Sequence, residues 1–93
     1  HGPKGFDVAS GAFAARPAAR TYSTVFAETL AGIAAEDPAV VAITAAMPSG
    51  TALRQFAKDH PGRMYDVGIC EQHSFAFAQG LAIAGARPFL AHY

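Results

Sequence analysis

"VVAIT", residues 40–44, is a short run of β-branched and small apolar residues with no polar residue alternating through it. A strand with one wet face alternates apolar and polar positions, whereas an unbroken apolar run is what a strand covered on both faces requires. Upstream, Asp37 and Pro38 form a stop, and before them Phe26, Leu30 and Ile33 recur on one face at helical spacing. The pattern predicts a helix near 22–35, with Thr21 or Ser23 as its cap. Downstream, "AAMPSGT", 45–51, is a loop in which Pro48 and Gly50 mark a turn. A second helix is expected from Leu53 to Asp59, ended by "HPG". "MYDV", 64–67, reads as a second strand, and Glu71 to Ala84 as a third helix closed by Gly85. "RPFLAHY", 87–93, reads as a third strand, centred on 88–92.

Helices of this length between strands imply right-handed crossovers and a parallel sheet. The predicted fold class is therefore α/β: a three-layer arrangement of a parallel sheet flanked by helices, and an incomplete one. Residues 21–93 form the first part of that domain. Residues 1–20 mix glycine, proline and alanine without a sustained period, and are expected to be a linker lying extended over a surface.

Composition narrows the function classes. The chain has 93 residues, 52% of them hydrophobic and only 15% charged. A free-standing domain this small needs a more solvating surface, so apolar faces made to be covered are expected. Positive and negative charges balance and no basic run exists, which argues against nucleic acid as a partner. No apolar stretch has the length to span a membrane. A single cysteine, Cys70, excludes an internal disulfide and suits a reducing compartment. His1, His60, His73 and His92 show no metal-ligand spacing, so no metal site is expected within the chain.

In open parallel sheets, ligands gather outside the carboxyl ends of the strands. The 45–51 loop and the 68–73 segment both follow strands directly. If those strands are neighbours, Met47, Ser49 and Glu71 converge on one rim. Glu71 then has two readings. It is a helix-end charge that sits well against unpaired backbone donors, or it is a proton-exchanging acid.

Taken together, "AITAAMPSGTAL" (42–53), "DVGICEQH" (66–73) and "RPFLAHY" (87–93) resemble the pyrimidine-binding domain of the 1-deoxy-D-xylulose 5-phosphate synthase family. These are thiamine diphosphate enzymes of the transketolase superfamily. The opening "HGPKGFDVASG" (1–11) resembles the segment joining that family's first domain to its second. The resemblance covers essentially the whole chain, in order and spacing.

The resemblance implies a synthase that joins pyruvate, with loss of carbon dioxide, to glyceraldehyde 3-phosphate, feeding isoprenoid and thiamine precursors. It implies thiamine diphosphate and Mg2+ as cofactors. It also implies small-molecule substrates, the remaining domains of the same enzyme as partners, and a homodimer in the bacterial cytoplasm or a plastid. Glu71 matches the glutamate that hydrogen-bonds a ring nitrogen of the aminopyrimidine and favours its imino tautomer, and enclosure from water would raise its pKa. His1 matches a histidine near the reacting centre. Met47 and Ile69 match positions at the cofactor's pyrimidine, and Tyr93 opens a substrate-contacting loop. The segment holding magnesium and the diphosphate has no counterpart in these residues, so the chain alone is not expected to be active.

The chain departs from the family at three positions. Cys70 replaces the usual alanine, Ala52 the usual glycine, and His92 stands where an apolar residue is common. Blander readings sit beside the sharp ones: His1 as a disordered terminal residue, Met47 as a loop side chain folded onto the core, and His73 as a surface histidine. Cys70 reads as a small buried hydrophobe. Arg54, Lys58 and Arg63 read as a solvated helix face and its flank. Two other functions compete with the synthase reading: a non-catalytic fragment or interaction module, and a transketolase-type relative with another substrate.

Overall fold

The computed structural model describes residues 5–13 and 19–93. His1 lies outside them. In chain order the elements are α1 (Tyr22–Glu36), β1 (Val40–Thr44), α2 (Leu53–Asp59), β2 (Met64–Asp66), α3 (Glu71–Ile83) and β3 (Arg87–Ala91). Element types and order follow the sequence reading, and boundaries move by one or two residues.

The three strands form one parallel sheet in the order β2-β1-β3. Ala42, Ile43 and Thr44 pair with Met64, Tyr65 and Asp66 on one side of β1. On the other side Val40 to Thr44 pair with Arg87 to Ala91. The central strand is buried along its whole length, as an unalternating apolar run requires. Among the described residues β3 pairs with β1 alone, which leaves its other side open at Pro88. The Arg87 N–H donates to the Ala39 carbonyl at 2.8 Å, so the next residue's missing N–H falls on the side away from β1.

The crossovers decide the layers. From β1 the chain passes through α2 to β2, then returns through α3 across β1 to β3. Two right-handed crossovers running in opposite directions put α2 and α3 on opposite faces of the sheet. α1 packs against α2, and α3 packs against β3 and β1, completing three layers. On the α1/α2 side, Leu30, Ala34, Leu53 and Phe56 close over Val40 and Ala42. Burying Leu30 and Phe56 contributes roughly 1.5–3 kcal/mol each. On the α3 side, Tyr65 meets Phe77 edge-on with ring centroids 5.2 Å apart.

Helix ends follow local chemistry. The Thr21 side chain caps α1 by accepting from the Thr24 N–H at 3.2 Å. Gly85, with φ of 95°, closes α3: its N–H reaches the Ala82 carbonyl and the Ala86 N–H reaches that of Leu81.

Several expectations are corrected. The face α1 buries is Ala27, Leu30 and Ala34, while Ile33 is 44% exposed, because α1 presses small residues against α2 and the sheet. Residues 5–13 are not extended. Phe6 and Phe13 bridge antiparallel, and Asp7 accepts from the Ala9 and Ser10 N–H groups and the Ser10 hydroxyl. Those bonds, the Ser10 side chain's first, hold the Asp7 carboxyl below its ordinary range. Arg63 is no solvated flank. It is half-buried, and its guanidinium donates to the carbonyls of Val40, Ala34 and Asp37 at 2.8, 2.9 and 2.7 Å.

Large apolar side chains stand uncovered, among them Tyr22 at 96%, Ile83 at 82% and Phe75 at 64% exposure. Among the described residues no helix is long and apolar enough to cross a membrane.

Candidate functional site

The loops after β1 and β2 leave the carboxyl ends of neighbouring strands toward opposite faces of the sheet, at the end of an open α/β sheet where ligands gather. The segment 45–52 leaves β1 there, and 67–70 leaves β2.

One carboxylate joins the two segments. The Asp66 Oδ1 atom accepts from the Ala46 N–H at 2.7 Å and from the Gly68 N–H at 3.0 Å. The Val67 N–H adds a bond to the Thr44 carbonyl at 3.0 Å, extending the β1–β2 pairing to the start of the loop. Ala46 holds a left-handed backbone with φ of 57°, a conformation that costs a non-glycine residue and is offset here by its bond to Asp66. Asp66 was not among the residues singled out from the sequence. Its only signal there is an acidic residue at a strand's carboxyl end, followed by a glycine two positions later.

Met47 lies half-buried in the first of these loops. Its carbonyl accepts from the Thr51 N–H and hydroxyl at 3.0 and 2.7 Å, closing the turn into α2. Its sulfur accepts from the Tyr93 N–H at 3.5 Å. The Tyr93 ring lies directly over Gly50, where an added Cβ would overlap it. The structure therefore brings Met47 and Tyr93 together and explains Gly50 by that close approach. Ile69 is 83% exposed in the loop after β2.

Glu71 is the first residue of α3 and is half-buried. Among the described residues its carboxylate has no hydrogen-bond or ion-pair partner. Its place in the first turn suits a negative charge against the helix dipole. An unpaired carboxylate at the carboxyl end of the sheet also suits an external donor, such as a ring nitrogen.

The remaining polar residues sort differently. Cys70, expected to be buried, is exposed, because it occupies the N-cap of α3 on the rim rather than a place between layers. His73 is exposed and stacks on Phe77 with ring centroids 6.2 Å apart, a surface role. His92 finds a polar partner inside the fold: its Nε2 atom is 3.2 Å from the hydroxyl of Ser74, a fully buried residue of α3. Neither Ser74 nor this pairing is signalled by periodicity. Among the described residues no three His, Cys, Asp or Glu side chains converge as a metal site.

Comparison with known proteins identifies the domain. The family profile "Transketolase, pyrimidine binding domain" matches residues 18–93. Over all 93 residues the chain is 54% identical to a 1-deoxy-D-xylulose-5-phosphate synthase of Halalkalibacterium halodurans, and it covers 15% of that protein. It is 55% identical to the enzyme of that name from Symbiobacterium thermophilum, covering 14% of it. Against 1-deoxy-D-xylulose-5-phosphate synthase 1 of Geobacter sulfurreducens the identity is 52%, with 15% covered. The chain thus spans about 15% of the length of these relatives. A parallel α/β sheet, an acid at the start of the helix after its second strand, and a profile running from residue 18 to the last residue converge on one assignment: the chain belongs to the transketolase pyrimidine-binding domain family.

Proposed function

We propose that these residues are the first part of the pyrimidine-binding domain of a synthase that joins pyruvate, with loss of carbon dioxide, to glyceraldehyde 3-phosphate, forming 1-deoxy-D-xylulose 5-phosphate. The observation that carries the reading is the 52–55% identity to three synthases along the entire chain. Thiamine diphosphate, when bound, supplies the electron sink that decarboxylation needs.

The chain's own residues fit one end of that cofactor. Glu71 offers an unpaired, half-buried carboxylate, the group needed to share a proton with an aminopyrimidine nitrogen. Asp66 does not compete for the role, since its Oδ1 is engaged by two backbone N–H groups. Met47 offers a polarizable, half-buried thioether in the loop after β1, suited to an aromatic ring. Ile69 adds an apolar surface beside Glu71, and Tyr93 begins the segment that would face substrate. The described residues do not fit a magnesium site, and the ligands for the metal and the diphosphate belong to other parts of the polypeptide in this reading. With it go a homodimeric complete enzyme and a location in the bacterial cytoplasm or a plastid.

The test is product formation by the complete polypeptide supplied with thiamine diphosphate, magnesium, pyruvate and glyceraldehyde 3-phosphate. The reading expects the five-carbon 1-deoxy ketose phosphate and release of carbon dioxide. Turnover only with a ketose phosphate donor would reassign the chain to a transketolase-type relative. No turnover with either donor would leave a non-catalytic protein.

A further inference from the structure

The first turn of α3 lacks an ordinary side-chain cap. Cys70 occupies the N-cap with φ of −145° and ψ of 63°, and its side chain makes no capping bond. A helix end without a cap leaves backbone donors unpaired and frays readily. Yet this turn carries Glu71, whose position the proposed chemistry depends on.

A different device holds it. Ser74 is fully buried, and its hydroxyl donates to the Glu71 carbonyl at 2.6 Å. A hydroxyl has one proton, so the same oxygen acts as acceptor in its 3.2 Å contact with the His92 Nε2 atom. His92 is therefore protonated on Nε2 and donates to Ser74. The ring is held from another side by Phe75, edge-on at 5.9 Å between centroids. A connected path runs from the end of β3, through His92 and Ser74, to the peptide oxygen of Glu71.

We propose that His92 is a positioning residue for Glu71: it locks the first turn of α3 to the sheet through Ser74 and so sets where the carboxylate stands at the carboxyl end of the sheet. The proposal rests on the reading of Glu71 as the cofactor-activating acid. An apolar residue at position 92 would leave the Ser74 oxygen without its donor in a buried place and free the turn to shift. A displacement of about 1 Å at a reacting group costs on the order of 10²-fold in rate, so a partial loosening has a measurable effect.

The test uses the complete protein and the variants His92→Leu, His92→Gln, Ser74→Ala and Glu71→Gln. Backbone amide exchange is measured without cofactor, and hydrogen exchange at the thiazolium carbon is measured with thiamine diphosphate and magnesium bound. In His92→Leu, amides of residues 74–76, the first to bond within α3, should exchange about tenfold faster while those of β1 keep their protection. Exchange at the thiazolium carbon should slow by roughly 10-fold, with KM for pyruvate changed by less than about twofold. Ser74→Ala should behave likewise, and His92→Gln, whose amide nitrogen can still donate to Ser74, should restore both readouts. Equal loss of protection in β1, unchanged exchange in His92→Leu, or no rescue by His92→Gln would each overturn the positioning role. Glu71→Gln separates the two ideas. If it leaves the thiazolium exchange intact, the acid reading fails whatever the amides of 74–76 report; if it blocks exchange while His92→Leu does not, only the positioning role fails.

Discussion

Asp66 and Ala46 are 20 positions apart in the chain and 2.7 Å apart in space, carboxylate oxygen to backbone N–H. Because the same oxygen also accepts from Gly68, one atom fixes the spacing of the two loops that edge the candidate site. The register makes this possible. Asp66 pairs with Thr44, so its side chain stands beside the residues that follow β1.

Replacing Asp66 with alanine is expected to cost about 1–2 kcal/mol in chemical denaturation of the complete protein, since two N–H groups lose a charged acceptor but remain near solvent. Asp66→Asn keeps an acceptor oxygen and should lose less than half as much. Cofactor affinity, followed by calorimetric titration, should weaken by roughly 3- to 10-fold in the alanine variant as the loops separate, about 0.6–1.4 kcal/mol. An alanine variant with parental stability and affinity would show that the loops are held by other contacts.

Arg63 supports a second prediction. Its three bonds reach the end of α1, the turn at Asp37 and the first residue of β1, so one side chain ties α1 to the sheet. Lysine carries the charge but lacks the planar fork, and it can reach at most one or two of these carbonyls. Arg63→Lys is expected to lower stability by about 2–3 kcal/mol, read from the shift in denaturant midpoint. A loss near zero would mean that the carbonyls are equally well served by water.

Arg63 also marks how far a sequence can be read. The unalternating run at 40–44 predicts a central buried strand because burial on two faces leaves a compositional trace. Gly85 predicts a helix end because only a glycine takes the left-handed turn there cheaply. The family resemblance singles out Glu71 and Met47, and the structure sets them at the carboxyl ends of neighbouring strands. What stayed illegible depends on distant partners. Nothing local tells that Arg63 curls back onto three carbonyls, that Asp66 bonds across to Ala46, or that His92 meets Ser74. Ile33 misled because helical spacing reports which residues share a face, not whether small or large ones meet the neighbouring helix.

Ala52 gives the third prediction. It holds φ of 60° and ψ of 14° at the N-cap of α2, without a side-chain cap, where L-residues are strained. The left-handed conformation costs roughly 1–2 kcal/mol in a residue with a Cβ, and glycine returns part of that gain as about 0.5–1 kcal/mol of unfolded-state entropy. Ala52→Gly should therefore stabilise the protein by about 0.5–1 kcal/mol, less whatever its methyl contributes to the α1/α2 core. Thermal or denaturant unfolding reads the sign directly. Destabilisation would mean that packing of the methyl outweighs the strain.

The last prediction separates the two readings of Glu71. Glutamine preserves length and helix geometry but replaces the carboxylate with an amide that cannot exchange a proton with a ring nitrogen. If the carboxylate served only the helix dipole, Glu71→Gln would cost roughly 0.3–1 kcal/mol of stability and leave turnover nearly intact. A carboxylate unpaired among the described residues, at the carboxyl end of the sheet, favours the other outcome, in which turnover falls by about 10²–10⁴-fold while the unfolding midpoint barely moves. Shortening to aspartate tests position separately from chemistry: Glu71→Asp keeps the acid but withdraws it by one methylene, and the rate should fall with the fold intact. If both variants turned over at near-parental rates, Glu71 would be a helix-end charge and the proton-exchanging acid would have to be sought elsewhere.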